Sequence, residues 1–259
     1  MNLLSSMLIW LLIQAAIPTG MNQHRENILI DIKYLGHSSF YMDFGGEISL
    51  VTDYGKSDAY KEYGWSSPIR SMGDECPDIL TYSHMHDDHY DAERAENCEA
   101  VKYFGDSVLC YKGLSIKPIH LSEKDISIPD SYACLFEYRN MKVLHLGDCQ
   151  ANIMAIRDPG NRKKLLEKIP SGCQVVFVPV EGPTQFTEEL IQFIRLLDTE
   201  IIVPMHYWSE EYKDSFLNEF SSSSEGAGYE IVDLPGDTFT YDPAVRQAII
   251  RVLDFNRGL

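Results

Sequence analysis

Between His84 and His89 the chain places three of its eight histidines together with two aspartates, directly after the apolar run Ile79–Ser83. Imidazole and carboxylate are the donors that borderline divalent cations such as Zn²⁺ accept. His84 and His86 stand two apart at a strand end, which directs both rings to one side. Asp88 and His89 lie one turn further on and can face a second position close by. Without a ligand the segment would be a solvated polar loop, but so tight a cluster costs backbone order and charge repulsion when nothing binds it. The fold must therefore end a strand at a shared polar site.

The flanking sequence supplies strands first. Ile28–Tyr34, Ser39–Phe44 and Ile48–Thr52 read as β, with Gly45-Gly46 turning a hairpin between the last two. Val101–Phe104, Ser115–Ile119, Tyr132–Tyr138, Lys142–Leu146, Gln174–Pro179 and Ile201–Pro204 are further strands, and the polar stretch Asp91–Glu99 reads as a helix. A helix is expected at Glu188–Leu197, with Thr187 as its N-cap and Leu190, Ile191, Ile194 and Leu197 facing the core. Another is expected at Pro243–Leu253, with Val245, Ile249, Val252 and Leu253 on one face. Ser221–Ser224 reads as a short polar loop. Strands dominate the first half and β and α segments alternate in the second, which implies an α/β domain with sheets covered by helices. No Pro/Gly-rich linker divides residues 21–259, so one domain is expected there.

Residues 1–20 carry no charge and hold an apolar run, Leu3–Ile17, broken by Ser5, Ser6 and Gln14. That length suits a signal or leader segment better than a spanning helix, which needs ~20 apolar residues. No Lys or Arg precedes the run, and Ala15, Ala16 and Gly20 form no clean A-x-A site, so Met21 as the working start is the alternative. Export or membrane tethering follows from the first reading and a cytoplasmic protein from the second; no stable span is expected in the mature domain. The six cysteines show no C-x-x-C spacing, and those in apolar contexts, such as Cys110 and Cys134, read as buried free thiols. They do not settle the compartment. With 39 acidic against 22 basic side chains the net charge is −17, and no basic run is present, which argues against a nucleic-acid partner. A small-molecule substrate is expected; monomer and homo-oligomer stay open.

The segment His84-Met85-His86-Asp87-Asp88-His89 is an H-x-H-x-D-H pattern, and with it the sequence resembles the metallo-β-lactamase-fold hydrolases. The closest likeness is to the branch of small metal-dependent hydrolases that includes the L-ascorbate-6-phosphate lactonases; phospholipases D of the N-acyl-phosphatidylethanolamine type are more distant. The likeness runs from about Ile32 to about Tyr241. It is carried by Tyr34-Leu35-Gly36-His37-Ser38-Ser39-Phe40, Val51-Thr52-Asp53, the histidine loop, His145-Leu146-Gly147-Asp148 and Pro204-Met205-His206-Tyr207. The resemblance implies a four-layer αββα sandwich of the metallo-β-lactamase type and two divalent cations, zinc first, with manganese or iron as alternatives. It implies His84 and His86 on one metal together with a third histidine, for which His120 fits the window. Asp88, His89 and His206 would hold the second metal, and Asp148 would bridge. Asp53 would support the ligand loop by hydrogen bonding. His145 is expected to pack beside the site rather than ligate, Cys149 to pack, His37 to line the pocket or donate to substrate, with a structural role as the alternative, and His24 to be solvated. The family branch often has Asp-Pro where this chain has Asp53-Tyr54, so the polar stretch Gly55–Glu75 leaves substrate choice open.

Two cations ~3.5–4 Å apart would lower the pKa of a bridging water and supply hydroxide, while one polarises the scissile oxygen. Asp88 is expected to orient the attacking water, and either a metal-bound water or His37 to protonate the leaving group. The substrate implied is a small ester or lactone, phosphorylated or not. A phosphodiesterase of the same fold is the alternative, and a metal-binding sensor without turnover is a reading from another class. His and Asp also suit iron, so a redox variant of the fold is a further alternative.

Overall fold

The computed structural model describes residues 28–180, 186–223, 229–234, 236–245 and 249–252. The chain opens with β1 (Ile30–Gly36), β2 (Ser39–Phe44), β3 (Ser49–Thr52), β4 (Ile79–Thr81), helix α1 (Ala92–Glu96) and β5 (Val101–Tyr103). It continues through β6 (Leu109–Tyr111), β7 (Leu114–Leu121), β8 (Ser131–Tyr138) and β9 (Met141–His145). Helices α2 (Gln150–Met154) and α3 (Pro159–Lys168) precede β10 (Val175–Pro179), α4 (Thr187–Leu196), β11 (Ile201–Met205) and α5 (Glu210–Ser222). Three strands close it: β12 (Glu230–Asp233), β13 (Thr238–Tyr241) and β14 (Ile249–Val252).

Two sheets result, one in the order β13-β1-β2-β3-β4-β5 and one in the order β12-β14-β11-β10-β9-β8-β7-β6. Alternation decides how they stack. In β1, Ile30, Ile32 and Tyr34 are buried while Asp31 and Lys33 are exposed, as period-2 strands with one apolar face require. The inner faces of both sheets meet in a core that joins Phe40, Met42 and Phe44 to Phe136, Val143, Phe177 and Val203. Strands β10 and β11 are buried at every residue, because the other face of their sheet packs under helices. Val176, Val178 and Ile202 there contact Ile153, Leu165, Leu190, Phe193, Phe216 and Phe220 of α2 to α5. On the far side Val51, Leu80 and Tyr82 are covered by Ala95 of α1 and by Tyr54 and Ile69. This is the expected αββα layering.

Several expectations are corrected. Within Pro243–Leu253 the described residues Ile249–Val252 form strand β14, paired parallel to β11 and β12. Ile249 enters the inter-sheet core and Ile250 the helix-covered core, and a strand buried on both faces cannot be told from a helix by apolar spacing alone. Ser221 and Ser222 belong to the last turn of α5, while Ser224 lies outside the described residues, as do residues 1–20 and His24. Thr187 is the first residue of α4, and the N-cap is Phe186, which offers no side-chain bond. Cys110 is exposed, because β6 is an edge strand of its sheet; Cys134 is buried as expected. Among the described residues no helix is long and apolar enough to cross a membrane.

Cys76 and Cys98 are joined as a disulfide across 22 residues of sequence. The closed loop carries β4, the histidine segment and α1, so the link restrains the segment richest in candidate ligands. Chain-entropy reasoning assigns about 3 kcal/mol to a loop of this length. Thermal unfolding with and without a thiol reductant should show the reduced protein melting at a lower temperature, with about this loss of stability; an unchanged midpoint would count against the link.

Candidate metal centre

In the first sheet β1 and β3 are each antiparallel to β2, and β4 is parallel to β3, so β1, β3 and β4 run the same way. In the second, β7 and β9 flank β8 antiparallel, and β10 and β11 follow β9 in parallel. The candidate residues lie at or just beyond the C-terminal ends of these strands: His37 after β1, Asp53 after β3, His84–His89 after β4, His145 and Asp148 at β9, His206 after β11. Ligands gather at carboxyl ends of parallel strands because the loops there converge. The loops of the two sheets are tied directly, with the His206 amide donating to the His37 carbonyl at 3.0 Å.

The backbone is bent to reach this edge. His37, Asp53 and His206 have φ of 52°, 42° and 53°, a left-handed region that non-glycine residues seldom occupy and that clusters at functional sites. Gly147 has φ 60°, and a Cβ on it would fall 2.6 Å from the Ser83 Cβ and the Tyr132 carbonyl. Gly55 presses still closer: a Cβ there would lie 2.2 Å from the backbone carbonyl of Asp88. Next to it the Lys56 amide donates to the Asp87 carbonyl at 2.7 Å.

Among the described residues three overlapping groups of potential ligand atoms form, each spanning no more than 4.8 Å: His84, His86 and Glu123; His37, Asp88, His89 and His206; and His84, His89 and Asp148. In the first, His84 Nε2 and His86 Nδ1 are 2.9 Å apart, with Glu123 Oε2 at 3.7 and 3.3 Å from them. In the second, Asp88 Oδ2 is 3.0 Å from His37 Nε2, 3.3 Å from His89 Nε2 and 3.7 Å from His206 Nε2. Asp148 Oδ2 lies 3.5 Å from His206 Nε2, and Asp148 also belongs with His84 and His89, so it stands between the other two groups. Among the described residues, Asp88 Oδ1 and Asp148 Oδ1 are buried without a hydrogen-bond partner. Buried carboxylate oxygens are normally satisfied, and a cation would satisfy both. The donor set therefore fits divalent metal.

Supporting contacts fix the rings. Asp53 accepts from the Ser83 amide at 2.7 Å and the Ser83 hydroxyl at 2.8 Å, and lies 2.9 Å from His89 Nδ1. A carboxylate behind one ring nitrogen leaves the other aimed at the site. His145 Nε2 donates to the Ser38 carbonyl at 2.9 Å while its Nδ1 accepts from the Gly147 amide at 3.2 Å, so both its nitrogens are engaged within the protein. Cys149 is buried at the start of α2, and burial pushes its thiol up.

Charge follows geometry. Burial works to raise the Asp53 carboxyl, but His89, His145 and the Ser83 amide outweigh it and hold it at about 2. Burial is likewise the largest influence on Asp88, yet His89 and His37 drive its carboxyl far below the ordinary range. Burial opposes charge on His89, but the two carboxylates prevail and raise it well above the ordinary imidazole value. His84 is pressed down to about 2 by burial and then by His89, and His37 to about 3 by burial and then by His206. Both are neutral rings, the form that ligates metal.

The structure thus gathers His37, His84, His86, Asp88, His89, Asp148 and His206, with Asp53 and His145 behind them. It does not bring His120 in. That side chain is exposed on β7 and packs on Tyr132 with ring centroids 4.8 Å apart. Glu123, three residues on and past the strand end, stands beside His84 and His86 instead. It sits in the same sequence window, but among other acidic residues such as Asp106, Asp125 and Asp130, and only its position in the fold distinguishes it.

Comparison with known proteins agrees with this geometry. The family model described as "Beta-lactamase superfamily domain" matches residues 31–206. A UPF0173 metal-dependent hydrolase of Ignicoccus hospitalis is 23% identical over 245 residues, covering 82% of this chain and 98% of the relative. Among solved structures, one from Thermotoga maritima described as a Zn-dependent hydrolase of the metallo-β-lactamase superfamily superposes with TM-score 0.57 at 22% identity, covering 87% of this chain and all of that one. A metallo hydrolase of Ignicoccus hospitalis does so with TM-score 0.53 at 18% identity, covering 83% and 99%.

Two outcomes follow from the supporting contacts. Gly55→Ala should displace the Asp88–His89 backbone and weaken metal uptake about 10- to 100-fold while far-UV circular dichroism stays unchanged; equal uptake would mean the approach of the two loops is dispensable. Asp53, held at about 2 against an ordinary 3.8, stabilises the metal-free fold fully above the ordinary value, and this contribution disappears as pH falls through the folded value. Denaturant unfolding of the metal-free protein should lose roughly 2 kcal/mol from this group between pH 4 and 2, and Asp53→Asn should flatten that loss.

Proposed function

The chain belongs to the beta-lactamase superfamily and is a metal-dependent hydrolase of that group; on that premise we propose that it cleaves a small ester or lactone at a pair of divalent ions, zinc first. The observation that carries this reading is the set of overlapping ligand groups with Asp148 between them. His84, His86 and Glu123 would hold one ion, and Asp88, His89 and His206 the other, with His37 in reach of it. The carboxylate of Glu123 makes the first position harder than three imidazoles would, which widens the candidates to manganese and iron.

When bound, the ions supply a water ionised near neutral pH and positive charge for the oxyanion that develops. The chain's own residues do the positioning. Asp88 is acceptor-only when ionised, so the neutral His37 ring donates from Nε2 and fixes the carboxylate that would orient the attacking water. Asp53 holds His89 through Nδ1, and Asp148 would contribute a carboxylate to both positions. A fixed constellation of this kind lowers the barrier by removing reorganisation at the moment of reaction.

Elemental analysis of the protein purified without chelator tests this. About two equivalents of metal are expected, with Glu123→Ala losing one equivalent, His206→Ala losing the other, and His120→Ala losing none. Hydrolysis of a panel of esters and lactones should fall at least about 100-fold in Asp148→Asn. A wild-type protein that takes up no metal on titration would overturn the reading.

A further inference from the structure

The stretch Gly55–Glu75, which leaves substrate choice open in the sequence, folds largely into one compact loop. Arg94 ties its two ends together, donating to the Gly55 carbonyl at 2.8 Å and to the Ile69 carbonyl at 3.1 Å. Its guanidinium also lies 4.5 Å from the centre of the Tyr54 ring. Inside the loop the Asp58 amide donates to the Ser67 carbonyl at 2.9 Å. The Asp58 carboxylate accepts from the Ser66 hydroxyl at 3.0 Å and the Ser67 amide at 3.2 Å. The tip is a 3₁₀ turn at Lys61–Tyr63, where the Tyr60 carbonyl accepts from the Tyr63 amide at 3.0 Å. Compact loops with adjoining ends, packed by their own side chains, are frequently functional.

This loop presents Tyr60 to the metal centre. The ring is half-buried and stands 5.8 Å from Trp208, whose ring is in turn 5.6 Å from His206 and 4.5 Å from His37. The Tyr60 hydroxyl meets the backbone amide of Asp87, the residue between His86 of the first candidate position and Asp88 of the second. A carboxylate of each position acts on the phenol as well. Burial first, then Asp88, Asp87 and Glu123, push it up to about 12 against the opposing effect of that amide, so the hydroxyl keeps its proton.

A free donor is what the other residues of the centre do not supply. Ionised carboxylates only accept, and a neutral imidazole ligates through its lone pair. His37 Nε2 is committed to Asp88 at 3.0 Å. A phenolic hydroxyl can accept from the Asp87 amide and still donate outward. We propose that Tyr60 is a catalytic residue of this centre, its hydroxyl donating to the oxyanion that develops on the substrate between the two candidate ion positions. The assignment rests on the hydrolase reading and adds to it a donor carried by a loop outside the ligand set. The loop's internal hydrogen bonds fix that donor before substrate arrives, which is the condition for such a contact to lower a barrier.

Tyr60→Phe removes only the hydroxyl, and Tyr63→Phe makes the same deletion at an exposed site on the same loop. Metal content of both variants should equal that of wild type by elemental analysis. Calorimetric titration of the zinc-loaded proteins with inorganic phosphate, a tetrahedral oxyanion, should show affinity about tenfold weaker in Tyr60→Phe, the scale of one hydrogen bond to a charged group. Affinity in Tyr63→Phe should match wild type. On the best ester or lactone of a substrate panel, kcat of Tyr60→Phe should fall about 100-fold with KM little changed, the signature of a contact made in the transition state. Absence of phosphate binding to wild type, equal phosphate affinity in Tyr60→Phe, an equal loss in Tyr63→Phe, or unchanged kcat in Tyr60→Phe would each overturn the assignment. Turnover by wild type with any of these results leaves the hydrolase reading standing. Phosphate binding that depends on Tyr60, without turnover of any ester or lactone, upholds the donor and counts against hydrolysis of that class.

Discussion

Asp53 is the point on which the site turns. Its carboxylate, 1% exposed, accepts from the amide and hydroxyl of Ser83 and lies against His89, while its own amide donates to Thr81. One buried anion thus joins the end of β3 to the loop after β4 and sets the orientation of a candidate ligand. Removing one partner from a buried charged set leaves the others uncompensated, a cost of about 3–5 kcal/mol. The same arithmetic applies one layer further in, where Asp88 sits among three imidazoles. A buried cluster of carboxylates with the raised imidazole of His89 and the neutral rings of His37 and His84 is stable as a packed unit because each carboxylate has imidazole beside it, and a cation in place of the His89 proton would complete it.

The sandwich makes this possible by keeping everything else apolar. The core between the sheets is filled by Phe40, Phe136, Phe177 and their neighbours, and the polar groups are confined to the edge where the parallel strands end. Backbone strain gathers there too: His37, Asp53 and His206 take left-handed conformations that the surrounding packing holds in place. Rigid sheets supply positions and short loops supply donors, so candidate ligands from five separate stretches of chain meet within a few ångströms. Beside them Tyr60 and Trp65 pack against Trp208, which in turn lies against His37 and His206.

Much of this was legible in the residues. The His84–His89 cluster announces its chemistry through donor types and spacing, and period-2 alternation in Ile30–Tyr34 and Ser39–Phe44 announces strands with one buried face. Three features were not legible. The strand at Ile249–Val252 is apolar on both faces, and its spacing satisfies a helix equally well. Helices α3 and α5 are mostly polar and touch the core through few residues, so no periodic stripe marks them. Glu123 carries no signal of its own, since acidic residues are abundant in a chain of net charge −17 and only position distinguishes this one.

By itself, then, the sequence determined the class of chemistry and the layered α/β architecture, because donor identity and hydrophobic period are local properties. Tertiary structure alone decided which distant residues share a site. It set His120 on an exposed stretch of strand and Glu123 past the strand end beside His84 and His86. Those outcomes depend on strand direction, register and loop closure across as many as 170 residues of chain, from His37 to His206. Such relations are properties of packing between sheets, and no local pattern encodes them.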